Sequence, residues 1–207
     1  MIDLYMFATP NCWRAAITLE ELGVKYAVKW IDLMNRGNTA PEYLKKNPVA
    51  KVPLIEDSET GAQVYGSLAI QLYLADRAGK LLPKSPKERG EALDWLMFVG
   101  TDLCNAMSNV TRFKLFVKPT NEEALKIFND DVDRFLKVAD ERLHGRDWFC
   151  GDFSVVDIAA AAYLAGPRNV DAMLAKFANV KRWSDKAKAR PAVQRGLITK
   201  APEARAA

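Results

Sequence analysis

The chain is short of the residues on which metal sites, disulfide scaffolds and many hydrolases are built. Its 207 residues include one histidine, His144, and three cysteines, Cys12, Cys104 and Cys150, in no Cys-x-x-Cys or Cys/His ligand spacing. An odd, scattered set of thiols argues against a disulfide framework and against a zinc site. A Ser-His-Asp hydrolase would have to rest on His144, which stands beside Gly145 at an expected helix end. No apolar run approaches the ~18 residues of a membrane span, and no basic stretch followed by an apolar signal segment opens the chain. The 30 basic and 26 acidic residues are dispersed, so the net charge of +4 forms no long block that would track nucleic acid or lipid. Tandem repeats and low-complexity tracts are also missing. The expectation is a globular protein of the reducing cytoplasm, with no metal and no nucleic-acid or membrane partner.

What is present is 49% hydrophobic residues against 27% charged, enough for a sizeable core in one domain or two small ones. Leu4 to Phe7 reads as a strand that breaks into Thr9-Pro10-Asn11-Cys12 just before a helical pattern. Thr9 takes the N-cap position and Pro10 the first turn, where its missing N–H costs nothing. A strand delivering a helix N-terminus leaves unpaired N–H groups and partial positive charge, which stabilise an anion, a thiolate included. Cys12, Ala16 and Leu19 share one helical stripe, and Gly23 ends the helix. That stripe makes Cys12 as much a candidate core residue as a candidate nucleophile.

Tyr26 to Ile31 predicts a second strand, parallel to the first across the helix. A short helix over Pro41 to Lys46 stops at Asn47-Pro48, and Val52-Pro53 leads into a strand ending near Glu56. Val52 before proline must be extended, leaving backbone groups to which a peptide ligand can pair. Asp57 to Gly61 predicts a hairpin turn and Ala62 to Tyr65 the return strand. Ser67 opens a helix ending at Gly79, and its hydroxyl with the following N–H groups suits a carboxylate.

Beyond this point strands disappear. Helical periodicity covers Lys87 to about Val117, Asn121 to about Leu143, Val155 to about Ala165 and Val180 to Ala189. The reading is therefore α/β plus all-α: a β-α-β-α-β-β-α domain over 1–79, a linker over 80–86 and an all-helical domain over 87–207, fraying from about Ala201.

Thr9-Pro10-Asn11, the run from Asn47 through Pro53, and Ser67-Leu68-Ala69-Ile70 resemble a cytosolic glutathione transferase. Gly151 to Ala159 resembles that family's capping-box helix start, with Ser154 and Asp157 at the required spacing. Trp95 and the stretch from Arg190 to Leu197 look most like the bacterial Nu-class and disulfide-reductase-like branch. The resemblance implies a thioredoxin-like first domain and a helical second one, a homodimer, and glutathione as co-substrate with a small electrophile, disulfide or peroxide, the activity being transferase, disulfide-bond reductase or peroxidase. It implies that Thr9 and Asn11 hydrogen-bond the sulfur, that Lys51 and Val52 hold glutathione backbone beside a cis Pro53, and that Ser67 takes the γ-glutamyl carboxylate. Gly66 stands where relatives carry an acidic residue or Gln against the γ-glutamyl end. Cys12 replaces a Gly and is the alternative nucleophile of a thiol-transferase. Tyr5, the thiol donor of other classes, lies several residues before the turn. Trp95, Phe98, Arg112, Phe113 and Phe116 are candidates for the second-substrate wall. A non-catalytic or regulatory binding protein on the same fold is the rival reading.

Overall fold

The computed structural model describes residues 1–167 and 170–201, so the expected fraying beyond Ala201 lies outside the described residues. The chain divides into two compact units. One comprises Met1–Leu82 together with the stretch from Lys188 onward, and the other comprises Pro83–Ala187.

In the first unit, β1 (Ile2–Met6), α1 (Pro10–Leu22), β2 (Tyr26–Trp30), α2 (Pro41–Lys46), β3 (Leu54–Asp57), β4 (Gln63–Tyr65) and α3 (Ser67–Ala78) follow the expected order. The sheet runs β2-β1-β3-β4, with β1 parallel to β2 and antiparallel to β3. Ile2, Leu4 and Met6 are buried while Asp3 and Tyr5 alternate to the more open face. Ile17 and Leu19 of α1 and Ile70 and Leu74 of α3 are buried in the core as well. Asp57, buried at the end of β3, accepts from Tyr73 Oη at 2.7 Å and Arg77 Nη1 at 2.6 Å, which ties the hairpin to α3. Burial pushes its carboxyl upward, but these partners and the Glu59 amide outweigh that and hold it below the ordinary aspartate value.

The end of the chain corrects the expected boundary, because the segment after α9 belongs to the first unit and not to the helical one. The physical reason is close packing of α10 (Pro191–Gly196) on α1. A Cβ built on Gly196 would stand 2.6 Å from the Ile17 backbone nitrogen and Cα. Arg190 makes a two-pronged pair with Glu21, both bonds at 2.7 Å, and Trp13 Nε1 donates to the Ile198 carbonyl at 2.7 Å.

The second unit contains α4 (Pro86–Met97), α5 (Cys104–Leu115), α6 (Glu122–Arg142), α7 (Val155–Leu164), α8 (Asp171–Leu174) and α9 (Ala178–Lys188). The predicted single helix from Lys87 is interrupted by a π-helical turn over Phe98–Leu103. Every residue of α7 is buried. It starts at the predicted capping box, where Asp157 accepts from Ser154 N, Ser154 Oγ, Phe149 N and Trp183 Nε1 at 2.9–3.1 Å. Burial pushes this carboxyl up to about 6 against the opposing effect of those four donors.

Gly196→Ala should lose about 1–3 kcal/mol in urea unfolding, since the new methyl meets backbone and not a mobile side-chain tip. Gly90→Ala, where a methyl meets nothing within 4 Å in the middle of α4, should be neutral or gain up to ~1 kcal/mol. Equal effects at the two positions would contradict the close approach of α10 to α1.

Candidate active site at the first helix start

The parallel β1-α1-β2 crossover places the start of α1 at the carboxyl end of β1. Thr9 is its N-cap in extended conformation, yet its side chain makes no capping bond. The predicted cap is thus a backbone cap, with the Thr9 carbonyl accepting from Cys12 N and Trp13 N at 3.0 Å. Since Pro10 has no N–H, the Asn11 amide is the first donor that the helix offers.

Cys12 does not fit the nucleophile reading. Its side chain is fully buried, and Sγ accepts from the Phe7 amide at 3.4 Å. Burial pushes the thiol up to about 11, only partly offset by hydrogen bonds with Thr9 and the Phe7 amide. The helix terminus that could stabilise a thiolate here is outweighed by the loss of water. Tyr5 is also occupied elsewhere: its hydroxyl donates to Glu56 Oε2 at 2.5 Å, and Lys46 Nζ lies over its ring.

Asn11 and Ser67, 56 residues apart in sequence, are brought together, with Ser67 Oγ 3.4 Å from Asn11 Oδ1. The residue joining them is Arg14, which sequence reading missed. It is 2% exposed, and its Nη1 donates to Asn11 Oδ1 at 3.0 Å and to Ser67 Oγ at 3.2 Å. A signal was available: a cation sits one helical turn after Asn11, inside the run of apolar and small residues from Cys12 to Ile17.

Ser67 is the first residue of α3 and Gly66 its N-cap, at φ 88° and ψ 122°. Few L-residues tolerate that backbone, so any side chain at position 66 carries strain of about 1–3 kcal/mol. The Gly66 amide donates to the Pro53 carbonyl at 3.4 Å, bringing the α3 start beside the proline turn. The Val52-Pro53 bond is cis. Around it, Lys51 O accepts from Tyr43 Oη at 2.7 Å and Asn47 Nδ2 at 2.6 Å, while Asn38 Nδ2 donates to Ala50 O at 2.7 Å. These bonds secure the turn from behind. Among the described residues, no other backbone group pairs with Val52. The Lys51 side chain is exposed. Because Tyr5 pairs with Leu54, the end of β1 leading to Thr9 lies at the same end of the sheet as this turn. β3 itself is an inner strand, so Pro53 does not guard a sheet edge.

Three of the aromatics expected in a substrate wall make ring contacts within the helical unit. Trp95 packs on Phe98 and Phe149, Phe98 on Phe135, and Phe113 on Phe128, whereas Phe116 is 78% exposed. Among the described residues no group of three or more His, Cys, Asp or Glu could hold a metal ion, and no helix is long and apolar enough to cross a membrane.

A helix N-terminus, a cis-proline turn with open backbone and a second helix start, carried on a thioredoxin-like sheet with an all-helical second unit, define the class. The N-terminal domain family of glutathione S-transferases matches residues 4–85, and the corresponding C-terminal domain family matches residues 91–191. The chain belongs to the glutathione S-transferase family. It is 29% identical to disulfide-bond oxidoreductase YfcG of Escherichia coli, over 96% of this chain and 95% of that protein. A glutathione transferase family member from Pseudomonas fluorescens, solved with two glutathione bound, is 31% identical at TM-score 0.88, over 95% of this chain and 92% of that one. A glutathione transferase from Pseudomonas putida, solved with one glutathione disulfide per subunit, is 29% identical at TM-score 0.89, over 95% and 90%.

With a thiol pKa of about 11, about one part in a thousand of Cys12 is thiolate at pH 8. Mass mapping after iodoacetamide treatment should find Cys12 unmodified in the native protein, with reactivity that climbs as pH rises toward 11 and appears at once in urea. Rapid modification of native Cys12 at pH 7 would contradict this placement.

Proposed function

We propose that this protein is a glutathione-dependent enzyme that activates the glutathione thiol at the start of α1 and passes it to a disulfide or small electrophile. The observation carrying the proposal is the Asn11–Arg14–Ser67 cluster, which joins the starts of two helices beside an open cis-proline turn. Extended glutathione backbone pairs with Val52, and Lys51 lies next to it with a cation. The γ-glutamyl carboxylate meets Ser67 Oγ and the N–H groups of the α3 start. Thr9 and Asn11 then face the sulfur. The Thr9 hydroxyl, which in the structure hydrogen-bonds Cys12 and caps no helix amide, turns its proton to the glutathione thiolate. Two hydrogen bonds and the helix terminus lower the thiol pKa, giving a nucleophile near neutral pH.

On a disulfide substrate the glutathione sulfur forms a new S–S bond with one substrate sulfur. The other sulfur departs with the electron pair of the broken bond and takes up a proton. The likeness to a disulfide-bond oxidoreductase and to a transferase holding glutathione disulfide supports this branch of the reaction. Family resemblance extends the proposal to a cytoplasmic homodimer. The rival, a protein that binds glutathione without turning it over, draws on Gly66, which offers no side chain to the γ-glutamyl end.

Thr9→Ala should lower kcat/KM for glutathione-dependent disulfide reduction about 100-fold while costing only about 1 kcal/mol of stability, since the loss is one hydroxyl bond to the Cys12 thiol and no side-chain cap. Asn11→Ala should lower turnover similarly but cost more stability, up to about 2 kcal/mol, because Arg14 loses an acceptor. Cys12→Ser should keep most of the turnover. Parallel losses of activity and stability at Thr9 would favour a structural role, and loss of activity in Cys12→Ser would favour the thiol-transferase.

A further inference from the structure

Resting on the reading just given, we infer that Arg14 is the positioning residue of this site: it sets which end of the Asn11 amide meets the glutathione sulfur and couples that amide to Ser67. A side-chain amide has an acceptor end and a donor end, and only the donor end stabilises a sulfur anion. In this site the choice is made by what stands behind the amide. Asn11 Oδ1 receives Arg14 Nη1 at 3.0 Å, and Ser67 Oγ lies 3.4 Å from it. With Oδ1 committed to the Arg14 guanidinium, the end of Asn11 turned away from Arg14 is its NH2 group, and the Ser67 hydroxyl proton stays available to the γ-glutamyl carboxylate. A reversed amide would set NH2 against the guanidinium and point its oxygen at the thiolate, unfavourable on both sides.

Burial strengthens this selection, because Arg14 is 2% exposed and water cannot readily substitute for either partner. The same Nη1 donates to Ser67 Oγ at 3.2 Å, so one nitrogen of the planar guanidinium bridges the sulfur-facing and carboxylate-facing residues. The helix supplies the geometry: Asn11 and Arg14 are three residues apart on α1 and therefore on one face. Threonine at position 18 donates to the Arg14 carbonyl at 2.7 Å, one further turn along the same helix. Arg14 acts through Asn11 and Ser67, with no requirement to touch glutathione itself.

The test is an Arg14→Lys variant, which keeps the charge but replaces the planar fork with a single flexible ammonium. Glutathione affinity is measured by calorimetry, and ionisation of the bound thiol by its thiolate absorbance against pH. Wild type should bind glutathione with a lowered thiol midpoint. Arg14→Lys should bind about tenfold more weakly and raise that midpoint by about one pH unit. In an Asn11→Ala background, the same substitution should leave the midpoint where Asn11→Ala alone put it, because the residue through which Arg14 acts is gone. A purely structural role would not produce that dependence on Asn11. Far-UV circular dichroism checks folding, and Arg14→Met, which suits an apolar surround, is read the same way if the lysine variant does not fold. Wild-type affinity and midpoint in a folded variant, or a midpoint shift that persists without Asn11, would overturn the inference while leaving the glutathione reading intact. Failure of wild type to bind glutathione would instead overturn the reading on which it rests.

Discussion

Burial of one guanidinium constrains the whole candidate site. Arg14 lies on the inner part of α1, and a cation in that position must find oxygen acceptors supplied by the protein. It finds Asn11 in the preceding turn of its own helix and Ser67 at the start of α3. Satisfying Arg14 therefore draws the starts of two helices together. The convergence of two positive helix ends would repel if nothing acted between them. An anionic ligand relieves it, and in the proposed function that ligand is glutathione.

The other parts of the site are arranged around that convergence. Asp57, with Tyr73 and Arg77, fixes the hairpin on α3 and so fixes where Ser67 begins. Tyr43, Asn38 and Asn47 hold the carbonyls before the cis proline from behind, which leaves the Val52 backbone turned to other use. Gly66 links the two, since its amide reaches the Pro53 carbonyl and its backbone takes a conformation open to glycine. Cys12 belongs to a different layer. A thiol held out of water beneath the turn supports the Phe7–Thr9 backbone and is poorly suited to ionise.

Local pattern made most of the fold legible. Alternation in β1, Gly23 after α1, proline before β3 and the Ser154–Asp157 box each declare an element through interactions spanning a few residues. The failures share the opposite property. The attachment of the last segment to the first unit depends on Gly196 meeting Ile17, far apart in sequence. The fate of Cys12 depends on how deeply α1 sits, which a helical stripe suggested without deciding. Arg14 escaped notice because charge usually marks a solvent face, and its acceptor Ser67 lies 53 residues away. The π-helical turn at Phe98–Leu103 left no mark in the periodicity of Lys87 to Val117. Thr9, Asn11, Lys51, Val52, Pro53 and Ser67 are candidates that rest on family resemblance combined with helix-end physics, and neither alone singles them out.

The most direct test of the account is a crystal structure of the protein soaked with reduced glutathione. The account predicts the sulfur within hydrogen-bond distance, about 3.5 Å or less, of Thr9 Oγ1 and Asn11 Nδ2, with the γ-glutamyl carboxylate on Ser67 and glutathione backbone paired to Val52. A sulfur bonded covalently to Cys12, or glutathione bound away from the starts of α1 and α3, would contradict it.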